Sequence, residues 1–234
     1  MSITKFSPCL RFHGFLEQWS KEKLGNSCSF QQGVQIDLEL QSAEPVENFV
    51  RFLRIENYTQ NSQDFRYVPA ELARDKHINT DEIAIVRYGA TAGYIAKGLS
   101  GVLANNLFKV IVNRDKFDIN FLFHYLKSDN VFKYFQIAMA GGAMPALSFE
   151  IASSLNISFP SLPEQQKIAS FLTTVDEKLQ ALKKKKTLLE QYKKGVMQKI
   201  FSQEIRFRDN NGKEFPKWEN RHLFEVLKEH CEKS

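Results

Sequence analysis

Glycine loops, histidines, cysteines and paired carboxylates are the places where this chain could do chemistry, and their spacing argues against it. GYIAKGLS (93–100) has glycines placed as in a phosphate-cradling loop, but Leu99 stands where that loop needs its lysine. A hairpin turn between two strands is expected there instead. Asp81 and Glu82 could pair as acid and base, yet they precede a strand pattern and read as solvated turn residues. The five histidines are scattered, and His222, His230 and Cys231 are too loosely spaced to read as a metal set. Cys9, Cys28 and Cys231 form no CxxC pair, and an odd number so far apart fits a reducing compartment better than a disulfide framework. No G-x-G-x-x-G opens a helix after a strand, and no methylase-type Asn/Asp-Pro-Pro-aromatic stretch is present. The chain is expected to hold no catalytic residue, no metal and no cofactor of its own.

Binding chemistry is better represented. The net charge of +5 and pI near 9.0 permit a polyanionic partner. In IVRYGATAG (85–93) a strand ends at Arg87-Tyr88 and opens into a loop of small residues. There an arginine could read a guanine edge and a tyrosine could stack or touch phosphate. The competing reading makes Tyr88 a core residue and pairs Arg87 with a carboxylate. Lys97, Asn105 and Asn106 flank the same expected hairpin, and Arg66 follows a polar loop at 57–64, so these join the candidates for DNA contact. AGGAMPAL (140–147) reads as a glycine-enabled turn. Lys183 to Lys186 read as a solvated face, because four successive helical residues cannot all meet one phosphate track.

The elements that position these residues fall into two kinds. Hydrophobic content of 43% and charged content of 25% are those of an ordinary globular protein, with 20 Phe and 7 Tyr for its core. No apolar run reaches the roughly 20 residues of a membrane span and no signal-peptide core opens the chain, so a cytoplasmic protein is expected. Residues 1–160 read as a mixed α/β globular domain, α+β in class. Strands are expected at 34–40, 48–58, 82–88, 93–97, 106–112 and 156–160, two aromatic-rich helices within 118–139, and a short one at 148–155.

Residues 161–203 read as one long helix. Ile168, Val175, Leu182, Leu189 and Val196 lie seven apart; Leu172, Leu179, Lys186, Lys193 and Ile200 form a second row offset by four. That is a coiled-coil seam, and so narrow an apolar edge needs another helix to cover it. Pro160 and Pro163 mark the exit from the globular domain, Ser161 and Glu164 form a capping-box pattern, and Gly195 is a weak point inside the helix. The methylenes of Lys186 and Lys193 can pack while their ammonium groups reach water. Residues 204–234 then echo the start of the chain: Arg206-Phe207, Trp218 and Leu223 repeat Arg11-Phe12, Trp19 and Leu24. The chain reads as half of a two-fold arrangement.

PSLPEQQKIASFLTTVDEKL, then LLEQYKKGVMQKIFSQEIRF and FPKWE, closely resemble the central conserved region of type I restriction-modification specificity (S) subunits. DEIAIVRYGATAG and NFLFHYLKSD resemble a target recognition domain of that family. The resemblance implies a target recognition domain at 1–160, a conserved spacer and dimerisation helix at 161–203, and the truncated start of a second copy at 204–234. It implies that two such domains, held apart by antiparallel helices, read the halves of a bipartite double-stranded DNA site. It further implies that the subunit is not itself an enzyme. Partner methylase subunits bind S-adenosylmethionine and methylate adenine, and nuclease/translocase subunits are further candidate partners. Ile168, Leu172, Val175, Leu179, Leu182, Leu189, Val196 and Ile200 would form the helix-pairing surface. With the seam open, an antiparallel homodimer through 164–202 is expected, favouring an interrupted palindrome. Two other readings stay open: a stand-alone dimeric DNA-binding regulator, and a coiled-coil scaffold whose globular domain binds protein.

Overall fold

The structure, a computed structural model, describes residues 8, 10–73, 75–140 and 145–227. In chain order the elements are β1 (Ser20–Lys23), β2 (Cys28–Gln32), β3 (Phe49–Leu53), α1 (Ile55–Thr59), β4 (Arg66–Pro69), α2 (Ala70–Ala73), β5 (His77–Ile78), β6 (Ile83–Val86), β7 (Ile95–Ala96), β8 (Gly101–Leu103), β9 (Leu107–Val112), α3 (Ile119–Leu126), α4 (Asp129–Ala138), α5 (Phe149–Ser154), β10 (Asn156–Phe159), α6 (Leu162–Phe201) and α7 (Leu223–Val226). The chain divides into two compact units, Met1–Asp176 and Glu177–Ser234, so the division falls inside the long helix and not at its start.

The first unit is mixed α/β. One four-stranded sheet runs β2-β9-β6-β7, a second runs β4-β3-β8-β5, and β1 pairs with β10 in a separate ribbon. Strand β6 lies between two cores. Ile83 and Ile85 belong to the main core with helices α3 to α5, while Ala84 and Val86 join a second core with Leu53, Ile78 and Leu103. A strand buried on both faces needs an unbroken apolar run, which is what IAIV supplies.

Several expected elements change. Residues 34–40 alternate as a strand should, but Val34 makes only a single bridge to Ala104. Beyond Ala104 the partner chain turns back at once, with the Leu107 amide donating to the Ala104 carbonyl, so no edge remains to pair with. Residues 38–40 wind into a 3-10 turn instead. Gly33 is required at this crossing, since a Cβ there would meet the carbonyl oxygens of Ala104 and Leu103 at 2.1 and 2.3 Å. The strand expected over 48–58 stops at Leu53. The buried Asn57 side chain accepts from the Arg54 amide and donates to the Ser62 and Asp64 carbonyls, closing α1 where the pattern suggested more strand. The hairpin expected around 93–100 does not form: β7 pairs with β6 in one sheet and β8 with β3 and β5 in the other, so this loop crosses between sheets.

Helix α6 begins and ends for identifiable reasons. At its start, Glu164 and Gln165 are almost completely buried. The Glu164 carboxylate is taken by the Arg11 guanidinium, Nε to Oε1 at 2.8 Å, in place of the expected reciprocal cap with Ser161. Gln165 Nε2 donates to the Lys116 and Pro160 carbonyls, and its Oε1 accepts from the Asp118 amide, each at 3.0 Å. Asp118 caps α3, so one glutamine joins the roots of two helices. At the far end Gln203 adopts a left-handed conformation (φ 63°), and the Ile205 amide donates back to the Lys199 carbonyl. This is the wrapped ending that satisfies terminal carbonyls. A Cβ added at Gly195 would meet nothing within 4 Å. Gly195→Ala is therefore expected to stabilise the helix by about 1 kcal/mol, read as raised helicity and melting temperature by circular dichroism. A melting temperature that falls would contradict this.

In the second unit the echo residues are used differently from their counterparts. Arg206 Nη2 donates to the Phe215 carbonyl at 2.8 Å and Trp218 packs edge-on to Phe201, with Phe207 and Leu223 exposed. In the first unit Arg11 pairs with Glu164, Phe12 meets Phe171 and Leu24 is fully buried. His230 and Cys231 lie outside the described residues.

Candidate nucleic-acid interface

Arg87 follows β6 directly. The antiparallel register with β9 sets it beside Asn106, whose carbonyl accepts from the Arg87 amide at 2.8 Å. Tyr88 bridges to Ala146, and Gly89 in a left-handed conformation (φ 87°) turns the chain away immediately after it. The Arg87 guanidinium lies over two rings, 4.8 Å from the Tyr88 centroid and 5.5 Å from that of Phe149. Phe149 is itself fixed by Phe108 at 5.2 Å and Phe30 at 5.8 Å. Among the described residues no hydrogen bond or ion pair takes the Arg87 side chain, and its Nε and the Asn106 Oδ1 are both buried without partners.

Neither half of the competing sequence reading holds. Tyr88 is half-buried and no carboxylate pairs with Arg87. A guanidinium seated on aromatic faces keeps its donors free for bidentate contact with a base edge or phosphate, and it gives up little freedom on binding. Phe149 completes this arrangement from a part of the sequence that carried no signal for it beyond an aromatic residue after the Ser148 cap.

The other candidates are dispersed. Asn105 adjoins the cluster, its amide donating to Gln35 Oε1. Lys97 sits at the opposite end of the β6–β7 pair from Arg87, because Ala96 is level with Ala84. Its ammonium donates to Asn120 Oδ1 and lies 5.1 Å from the Phe123 ring, and burial lowers its pKa. Arg66 is on the edge strand of the other sheet, opposite Phe52. The structure thus joins Arg87, Tyr88 and Asn106 and separates Lys97 and Arg66 from them. Burial pushes the Cys28 thiol up to about 12, which leaves it a protonated core residue.

The second feature is the edge of α6. Ile168 is partly buried against the main core, and Leu172 is also half-buried. Further along, Val175 is 41% exposed, Leu179 48%, Leu182 52% and Leu189 56%, while Val196 and Ile200 are half-buried. Single exposed leucines are common on protein surfaces, but a row of them along one helix edge is a contact surface without its partner. No described helix is long and apolar enough to cross a membrane.

A mixed α/β domain with an acid-free guanidinium, joined to a long helix with a bare apolar edge, defines a binding protein that works beside other chains. The type I restriction modification DNA specificity domain family matches residues 17–191, more than half of the chain. The chain belongs to that family. It is 26% identical over 220 residues to the type I restriction enzyme MjaVIII specificity subunit of Methanocaldococcus jannaschii, covering 90% of this chain and 49% of that one. It is 28% identical over 147 residues to the MjaIX specificity subunit of the same organism, covering 59% and 34%. The chain spans about half the length of the first of these relatives. The crystal structure of the type I restriction-modification S subunit from M. genitalium shares the fold, with a TM-score of 0.60 at 18% identity over 84% of this chain and 49% of that one.

Proposed function

We propose that this chain is a sequence-specific DNA recognition subunit of a type I restriction-modification assembly. Its α/β domain reads one half-site, and α6 sets the distance to a second reader. Catalysis lies with methylase subunits, which supply S-adenosylmethionine and methylate adenine; this chain binds no cofactor itself. The family match over residues 17–191 is the observation that carries the reading. Arg87 on its aromatic seat is the base-edge or phosphate contact, with Tyr88 and Asn106 beside it.

The second reader is a second copy of this chain, paired antiparallel through α6. Ile168 and Ile200, the ends of the seam, are equally distant from Lys184. Folding the seam on itself about that point sets Ile168 against Ile200, Leu172 against Val196, Val175 against Lys193, Leu179 against Leu189 and Leu182 against Lys186. Each seam lysine then meets an apolar side chain along which its methylenes can lie. A parallel in-register pair would instead oppose Lys186 with Lys186 and Lys193 with Lys193, which like-charge repulsion disfavours.

Methylome sequencing of cells carrying this chain as their only specificity component, with a type I methylase, is expected to show one adenine-methylated interrupted palindrome. An unmethylated genome despite a stable complex with the methylase would overturn the reading. Arg87→Ala is expected to weaken target binding by about 1–3 kcal/mol. If Arg87 reads a base, discrimination at one position relaxes; if it holds phosphate, the dependence on salt becomes shallower by about one. An unchanged titration would remove Arg87 from the interface.

A further inference from the structure

Pairing of the rod leaves one charged feature without a use. Lys183, Lys184, Lys185 and Lys186 are all exposed. Among the described residues only Lys186 of the four has an ion pair, a surface one with Glu190 at 3.8 Å. On a lone helix four successive residues spread around about 300° and present no common face. An antiparallel partner changes that geometry, because the seam is symmetric about Lys184 and the two runs coincide at the two-fold axis. Leu182 and Lys186 occupy the seam, so Lys183 and Lys185 flank it on opposite sides. The two copies of Lys183 then meet across one broad face of the pair, and the two copies of Lys185 across the other.

Four ammonium groups from each copy, gathered within a turn or two of one point, oppose association unless an anion relieves them. We propose that Lys183–Lys186 of two paired copies form a phosphate-binding belt at the centre of the rod. It takes the sugar–phosphate backbone of the DNA between the two half-sites, and helix pairing is thereby coupled to DNA. The assignment rests on the paired reading above. Symmetry favours this occupant: the axis that relates two copies of the reader passes through the midpoint of the unread spacer, and the belt lies on that axis. Phosphate contacts carry no sequence information, which suits a stretch that is spanned and not read.

The test is sedimentation velocity of the whole chain and of a variant with Lys183, Lys184, Lys185 and Lys186 all changed to Gln. Each is run at about 0.05 M salt, at about 0.5 M salt, and at low salt with a short duplex lacking the target. The screening length shrinks from more than 10 Å to a few ångströms over that range. Wild type is expected to dimerise at least tenfold more tightly at high salt, and likewise when duplex is added. The glutamine variant is expected to dimerise equally in all three. The variant keeps both readers, so an effect of duplex confined to wild type reports the belt. A dimer whose constant ignores salt, duplex and the four substitutions overturns the belt alone. Tightening by salt without any response to duplex overturns DNA as the occupant and points to an acidic protein surface. Both proteins monomeric throughout overturns the pairing on which the belt depends.

Discussion

Leu179→Asp is expected to leave the protein monomeric at concentrations where wild type pairs, while its α/β domain melts unchanged. Leu179 is 48% exposed in the isolated chain, so an aspartate there costs the fold little, within about 0.5 kcal/mol. In the antiparallel register it faces Leu189 of the other copy, with no cation opposite to receive the carboxylate. Symmetry applies the loss twice. Removing a buried leucine costs about 2–5 kcal/mol before the charge is counted, so a micromolar dimer would weaken beyond the millimolar range. Leu182→Asp supplies the internal control. The same register sets it against Lys186 of the other copy, where an ion pair offsets part of the loss, and a milder defect is expected. Sedimentation equilibrium of the two variants separates the outcomes. A Leu179→Asp protein that still pairs at micromolar concentration would remove the seam from the interface, and a larger defect for Leu182→Asp would refute the register.

Gln165→Ala is expected to destabilise the α/β unit by about 3 kcal/mol or more. The side chain is fully buried and makes three hydrogen bonds to backbone groups of residues 116, 118 and 160. Truncation strands those groups at about 1 kcal/mol or more each and leaves a cavity besides. Gln165→Glu tests the donor side of the argument. At neutral pH its carboxylate keeps the acceptor toward Asp118 but turns two carbonyl contacts repulsive, so a loss at least as large is expected. Burial favours the neutral carboxyl, which regains one donor, so part of the loss should return as pH falls below the carboxylate range. Urea denaturation at two pH values measures both, and a cost under about 1 kcal/mol for Gln165→Ala would show that the joint is not structural.

That joint explains why PEQQ is so recognisable a string. Its glutamic acid and first glutamine are buried polar residues with fixed partners at the root of the rod, and no apolar residue could replace them without stranding those partners. The sequence showed them only as a capping pattern, because a capping box and a tertiary clamp use the same residue types.

Local pattern decided the elements whose periodicity is strong. A seven-residue repeat over five turns of the pattern yields α6 at Leu162–Phe201, and the aromatic runs and apolar stretches yield α3, α4, β6, β9 and β10 within a few residues of expectation. Each of these carries its own burial signal, so neighbours merely confirm it. Arg87, Tyr88 and Asn106 were legible for a related reason: strand ends and the loops after them are where side chains reach outward. Tertiary structure alone decided the rest. SKEK at Ser20–Lys23 has no strand signal and becomes β1 only because β10 pairs with it, residue for residue from Ser20 with Phe159 to Lys23 with Asn156. VQIDLEL has the signal and fails, since its partner turns away after Ala104. The same limit hid Phe149, which reaches Arg87 from far along the chain. Periodicity reports which face of a segment wants burial; which backbone lies across from it depends on pairings between distant residues that no local window contains.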